Sequence, residues 1–423
     1  MNHQFFRLNS GLRIITVPVA GSRTVSLLIM LAAGSKYEKK SHGGAFHFLE
    51  HMCFKGTARR PQPLDISAEL DGLGAKYNAF TGHDYTGYYA TAEAKHFDQL
   101  LDILTDLYLN PLLPAEEIEK EKGVIIEEIN MYRDTPRYQA QELFYEAVYG
   151  DQPAGRSISG PPETVSPLPR AHLLALRRRP NTAASTVVVV AGQLDRDYAV
   201  NAIGQSFRNL AAGAPIAPPV VRDRQSEPQV LTNFRKSDQT HLILGFRSWG
   251  ANRPEEQHVL EILSAVLGGG MSSRLFRRIR HELGAAYYVG AEQSTFTTHG
   301  ILEIFAGANQ KMVSTVVSVI LEECVRLRDE LVPAVELQRV KDALVGRLVL
   351  DLETASQQAR FYGSQAVVFT DVLSLTQHVE RYRAVTARAV MAAARALFTS
   401  ERLNAAIVGP VRKTSSFVNR LRL

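Results

Sequence analysis

Cysteine is nearly absent: Cys53 and Cys324 are the only two in a chain of 423 residues. Two thiols make no disulfide framework, so a packed core and a reducing, cytoplasmic setting are expected. Long apolar runs are also missing. The stretch from Val25 to Ala33, interrupted by one serine, falls well short of the ~20 residues that a helix crossing a bilayer needs, and no membrane span is expected. The N-terminal residues lead straight into an alternating strand pattern from Leu12 to Pro18, so no secretory leader is expected either. Neither sign of charge dominates: 48 Lys and Arg against 43 Asp and Glu leave +5. Arg177, Arg178 and Arg179 form the one tight basic cluster. It ends an apolar helical run, where the helix dipole favours cations anyway, and no aromatic platform is interleaved with it, which argues against nucleic acid.

Against these absences stands His47-Phe48-Leu49-Glu50-His51. Residues i and i+4 share one helix face about a turn apart, so the two imidazoles can grip one metal ion with Glu50 beside whatever that ion binds. The pattern H-x-x-E-H is the inverted form of the H-E-x-x-H zinc motif. Phe46, Phe48, Leu49, Met52, Cys53 and Phe54 make the surrounding segment apolar, and in a buried helix unpaired imidazoles and a carboxylate would be costly. Cys53, two residues beyond His51, faces away from it and reads as a packing thiol. A catalytic zinc site usually has three protein ligands and an open position. The third is sought in the helical run from Glu116 to Asn130, where Glu121 and Glu128 lie seven apart on one face and Glu127 points about 100° away. Glu128 is the best candidate, while Glu116, Glu117 and Glu119 read as a solvated face.

His47, Glu50 and His51, followed after a long gap by Glu128, resemble the metal signature of the pitrilysin (inverzincin) family of zinc metallopeptidases, and in particular its bacterial members that are like the mitochondrial processing peptidase. The segments Phe54-Lys-Gly-Thr57, Asn78-Ala-Phe-Thr81, Met131 to Pro136, Leu267 to Phe276 and Arg280 to Val289 extend the likeness over most of the chain. Phe46 departs from it, standing where relatives commonly carry a small residue. The resemblance implies that His47, His51 and Glu128 bind one Zn2+ per chain, that Glu50 activates water, and that Glu121 supports the site from outside the ligand set. It also implies that Asn78, Ala79 and Phe80 lie on an edge strand that receives the peptide substrate, and that Arg280 and Tyr287 contact substrate from the other half of a closing chamber. A complete chamber needs four such domains, so a homodimer, or a heterodimer with a related chain, is implied. The function implied is a zinc-dependent endopeptidase. Two rivals are a noncatalytic subunit of a peptidase-like complex, which would be expected to lose ligands this chain retains, and a zinc hydrolase of non-peptide substrates, which leaves the edge strand unexplained.

The chain also repeats one plan. An alternating strand, a helix, a hairpin and an amphipathic helix (Thr24–Met30, the metal helix, Leu73 onward, His96–Leu109) recur as Thr240–Phe246, His258–Leu267, Leu283–Ala306 and Met312–Leu327. Leu112-Leu-Pro-Ala and Leu331-Val-Pro-Ala each open a long charged helix. The expected fold class is α+β, as two duplicated domains, each a mainly antiparallel sheet with helices packed on one face. The Pro- and Ala-rich stretch 212–228 reads as a linker between a metal-binding domain, 1–211, and a homologous domain without metal ligands, 229–423.

Overall fold

The computed structural model describes residues 3–411, 421 and 423. Among them eleven strands form two sheets. The first contains β1 (Gln4–Arg7), β2 (Arg13–Pro18), β3 (Thr24–Leu31), β4 (Lys76–Thr81), β5 (Thr86–Glu93) and β6 (Thr186–Gly192), in the order β1-β2-β6-β3-β5-β4. The second contains β7 (Gln229–Phe234), β8 (Gln239–Ser248), β9 (Ala286–Thr295), β10 (Gly300–Asn309) and β11 (Leu403–Gly409), in the order β7-β11-β8-β10-β9. Once β1 is set aside the two orders are the same. In each, one pair is parallel, β2–β6 and β7–β11, and the others are antiparallel. The duplicated α+β plan expected from the sequence is the plan observed, with helices on both faces of the first sheet and not on one.

Why the central strands read as almost unbroken apolar runs follows from their two buried faces. Along β3, Val25, Leu27, Ile29 and Leu31 enter one core with Val188 and Val190 of β6, while Leu28 and Met30 enter another with Val187, Val189 and Ala191. The first core is closed by the helix Phe97–Leu109 through Phe97, Leu100, Leu101, Leu104 and Tyr108, a 3- and 4-residue spacing that makes one stripe. The second core is closed by Ala355, Ala359, Tyr362 and Ala366 of the helix Ala355–Val368.

That last helix comes from the far half of the sequence. The chain forms two units, 1–129 with 157–219 and 348–376, and 130–156 with 220–347 and 377–423. The helix Pro136–Tyr149 makes the reciprocal contribution to the second unit, where Ala140, Phe144 and Val148 pack on Ile243, Ile301, Ala406 and Val408. A single division at 212–228 misses this exchange. Its physical reason is that each sheet has a second apolar face to bury, and the helix that buries it lies just after the long charged helix of the other half. The two lent helices also repeat a detail: Arg360 lies 4.4 Å from the Tyr89 ring centroid and 5.3 Å from that of Phe80, and Arg137 lies 5.1 Å from Tyr288 and 5.8 Å from Phe305. No helix among the described residues is long and apolar enough to cross a membrane.

Phe144 is fully buried, and its ring tip approaches Gly245 so closely that an added Cβ there would lie 2.5 Å away. Phe144→Ala is expected to cost about 3–5 kcal/mol, read as a lower denaturant midpoint for the second unit in an unfolding titration.

Candidate metal centre

The metal helix is Ala45–Met52. Ala45, Phe48, Leu49 and Met52 bury against Ile118, Ile125 and Ile129 of the acidic helix Ala115–Asp134 and against Leu173 of the helix Arg170–Arg178. Phe46 turns the other way, into the core under the first sheet with Cys53, so the family departure at this position fills the core. The Cys53 thiol is buried with Sγ 3.4 Å from Tyr88 Oη, as a packing residue would be. What remains of the helix surface carries His47, Glu50 and His51.

Two features fix where this helix starts. Gly44 holds φ +91°, and a Cβ there would lie 2.3 Å from the Ser159 carbonyl oxygen, so both the turn and the close approach require glycine. Glu38 then accepts the backbone N–H groups of Gly44 at 2.8 Å and Phe46 at 2.6 Å, capping the helix with a carboxylate where its dipole is positive. Sequence reasoning passed over Glu38 because the cap reaches back across a loop.

The three residues proposed as ligands converge. One ligand atom from each of His47, His51 and Glu128 lies within 4.8 Å of the others, the one such group among the described residues. Glu128 Oε2 is 3.6 Å from His47 Nε2 and 3.4 Å from His51 Nε2. Glu121, 3% exposed, places Oε1 2.8 Å from His51 Nδ1 and Oε2 2.6 Å from Lys55 Nζ. It thereby orients the His51 ring with Nε2 toward Glu128. Glu116 and Glu119 are exposed, as is Glu127. Lys55, four residues after His51, neutralises the inner carboxylate, and the i, i+4 spacing was the available signal for it. Glu50 accepts a hydrogen bond from Thr81 Oγ1 at 2.6 Å, so β4 abuts the motif.

Charge in the metal-free site is shared unequally. Burial lowers His47 to about 4, helped by the positive charge of His51 and only partly offset by Glu128 and Glu121. Burial also disfavours charge on His51, but the hydrogen bonds and negative charges of Glu121 and Glu128 overcome it and lift the group to about 9. Glu121 is lowered: burial opposes its ionisation, and the hydrogen bonds with His51 and Lys55 win. Burial raises Glu50 against the opposing pull of the Thr81 hydroxyl and His51, which makes it a better proton acceptor than an ordinary glutamate.

The remaining residues singled out in the sequence fall in two places. Asn78, Ala79 and Phe80 lie on β4, which among the described residues is the edge of its sheet and pairs only with β5. The Ala79 N–H is bonded to its neighbour's Asn78 Oδ1 at 2.8 Å. Arg280 belongs to the second unit, on a π-helical segment, Phe276–Glu282, a geometry frequent at functional positions. It donates to the Ala286 carbonyl at 2.9 Å, next to Tyr287, which is 67% exposed on β9.

Residues 13–162 match the family described as Insulinase (Peptidase family M16), and residues 167–344 match Peptidase M16 inactive domain. An uncharacterized zinc protease of Mycobacterium leprae (strain TN) is 31% identical over 419 residues, 98% of this chain and 94% of that protein. One of Bacillus subtilis (strain 168) is 30% identical over 396 residues, 94% of this chain and 96% of that protein. Among solved structures, a protease from Helicobacter pylori is similar with a TM-score of 0.89 at 18% identity, covering 97% of this chain and 99% of that one. A peptidase M16 inactive domain from Pseudomonas fluorescens gives the same score and identity over 97% and 98%.

A zinc ligand must be a neutral imidazole nitrogen. At pH 7 His47 already is, whereas His51 has to give up its Nε2 proton while keeping Nδ1–H on Glu121. Zinc uptake at pH 7 is therefore expected to release about one proton per chain, and apparent affinity to rise about tenfold per pH unit from about pH 6 until it levels off near 9. Calorimetry in two buffers of different ionisation enthalpy counts the proton. Glu121→Gln should release less and bind zinc about 10- to 100-fold more weakly.

Proposed function

The chain belongs to the insulinase-type M16 peptidase family, and on that premise we propose that it is a zinc-dependent endopeptidase. Its substrates are extended peptides or unfolded segments, hydrolysed in a closed chamber formed by two chains. The observation that carries this reading is the convergence of His47, His51 and Glu128 with Glu50 alongside. Two imidazoles and a carboxylate are the donor set of a catalytic zinc site, in which a fourth position is kept for water. When bound, zinc supplies a Lewis acid for the substrate carbonyl and lowers the pKa of water to about 7.

The rest falls to the chain's own side chains. Glu50 takes a proton from the attacking water on a carboxylate oxygen and delivers it to the leaving amine nitrogen. The open edge of β4 receives the substrate as an added strand, and because backbone groups do the binding, sequence tolerance is broad while chamber size limits the substrate. Asn78 holds the Ala79 N–H until a peptide carbonyl replaces it. The carbonyl oxygen that gains negative charge needs donors aimed at it, and Arg280 and Tyr287 of the second half supply them, in trans within a dimer. The match to an inactive domain falls on residues 167–344, outside the positions of His47, Glu50, His51 and Glu128, so it gives the noncatalytic alternative no support in the metal-binding half.

Glu50→Gln should keep stoichiometric zinc and lose turnover by at least about 10²-fold, measured as metal content beside cleavage of a quenched fluorescent peptide library with and without chelator. Full cleavage by the zinc-loaded variant would sink the assignment. Specific activity should also fall on dilution in step with dimer dissociation followed by sedimentation. Undiminished activity in a strictly monomeric sample would remove the in-trans role of Arg280 and Tyr287.

A further inference from the structure

We propose that Thr81 is the positioning residue for Glu50, tying the orientation of the water-activating carboxylate to the strand that receives substrate; this rests on the metallopeptidase reading above. Among the described residues the Thr81 hydroxyl is the one hydrogen-bond donor to the Glu50 carboxylate, at 2.6 Å from Oε2. A glutamate has three side-chain torsions, and the last is broad and nearly unrestrained. Without that donor no hydrogen bond from the described residues sets the angle of its carboxylate. A hydroxyl can donate once, so the other oxygen stays open to a water.

Thr81 can do this because it is itself held. It is the last residue of β4, opposite Thr86 of β5, and its χ1 is restricted by β-branching. The turn that follows is closed by Gly82 N–H donating to the Tyr85 carbonyl at 2.8 Å. It is also tied to the loop before the metal helix: Ser35 and Lys36 donate their backbone N–H groups to the carbonyls of Gly82 and His83, each at 3.0 Å, and the Lys36 ammonium meets the Asp84 carboxylate in a fully buried ion pair. Gly34 permits this approach, since a Cβ there would lie 2.2 Å from the Gly82 carbonyl oxygen. The hydroxyl is thus referenced both to the substrate strand and to the entry of the helix that carries Glu50. A peptide that adds to β4 acts on the same strand, and Thr81 transmits its seating to the carboxylate.

The test compares Thr81→Val, which keeps the shape and removes the donor, with Thr81→Ser, which keeps the donor. Expected for Thr81→Val are unchanged zinc content, a KM within about threefold and a kcat lower by about 10- to 100-fold, the penalty of a misplaced catalytic group. Thr81→Ser should recover most of that loss. Crystal structures of wild type and Thr81→Val should show the Glu50 carboxylate leaving its position, a readout that needs no activity. The proposal is overturned if Thr81→Val keeps wild-type kcat, if Thr81→Ser falls as far as Thr81→Val, or if Glu50 does not move. Should Thr81→Val fail to fold, Thr81→Ala removes the same donor without adding a methyl group, and is read in the same way. A wild-type enzyme that binds zinc and cleaves no peptide would take down the peptidase reading instead, while the Glu50 position would still decide the role of Thr81.

Discussion

Everything at the metal centre depends on the apolar seam between the metal helix and the acidic helix. Ile118, Ile125 and Ile129 bury against Phe48, Leu49 and Met52, and Glu121 and Glu128 fall in the same 3- and 4-residue progression along the acidic helix. The stripe that packs is therefore the stripe that carries the carboxylates. Burying two acids beside two imidazoles is costly unless each is satisfied, and the site meets this by graded pairing: Glu121 is consumed by His51 and Lys55, leaving Glu128 facing both Nε2 atoms. The His47 Nδ1 is buried with no hydrogen-bond partner among the described residues, so the two imidazoles are held unequally. His51 is gripped at Nδ1 by a carboxylate, whereas His47 meets one only through Nε2, at 3.6 Å from Glu128.

The exchange of helices gives the duplication a physical logic. A sheet whose central strands are apolar on both faces cannot stop at one helical layer, and a half-chain that ended after its long charged helix would leave Leu28, Met30, Val187 and Val189 uncovered. Lending Pro136–Tyr149 to one unit and Ala355–Val368 to the other completes both, and neither sheet is finished until most of the chain is present. Folding of either unit should then involve contacts of very long sequence separation, such as Arg13 donating to the Ala366 carbonyl across 353 residues, a feature that slows folding.

Much of the centre was legible in the sequence because helical spacing is a local code. His47, Glu50 and His51 declare a face by position alone, and Glu121 and Glu128 declare one seven residues apart. The strands β3, β5, β8 and β10 were legible by pattern. By contrast β6, with Val187 to Val190, and β11 were passed over, because a short unbroken apolar run does not distinguish a buried strand from a buried helix segment. The lent helix Ala355–Val368 buries mostly alanines and one tyrosine, a weak stripe that does not say which sheet it covers. Glu38, Thr81 and the Lys36–Asp84 pair act across loops, and nothing within a few residues of them points to their partners. Around the site, non-local polar contacts were the cause of what sequence reasoning passed over.

The second unit shows what the same frame does when the paired imidazoles of the H-x-x-E-H motif are absent. In the first unit the amphipathic helix Phe97–Leu109 carries a fully buried acid, Asp106, met by Arg60 at 3.2 Å and Arg59 at 3.4 Å from the segment after the metal helix. At the same place in the order of elements, helix Val313–Asp329 carries fully buried Glu323, met by Arg278 at 2.9 Å from the segment after helix Pro254–Gly268. That scaffolding pair is kept in both. The difference lies on the charged helices: Glu121 and Glu128 face imidazoles, whereas Glu336 of helix Ala334–Leu350 is taken up by two nitrogens of Arg274, Nε and Nη2, at 2.9 and 2.8 Å. A guanidinium in that fork uses both carboxylate oxygens and offers no lone pair of its own. The carboxylate has become part of the packing, and among the described residues only the first unit holds two imidazoles and a carboxylate whose ligand atoms converge.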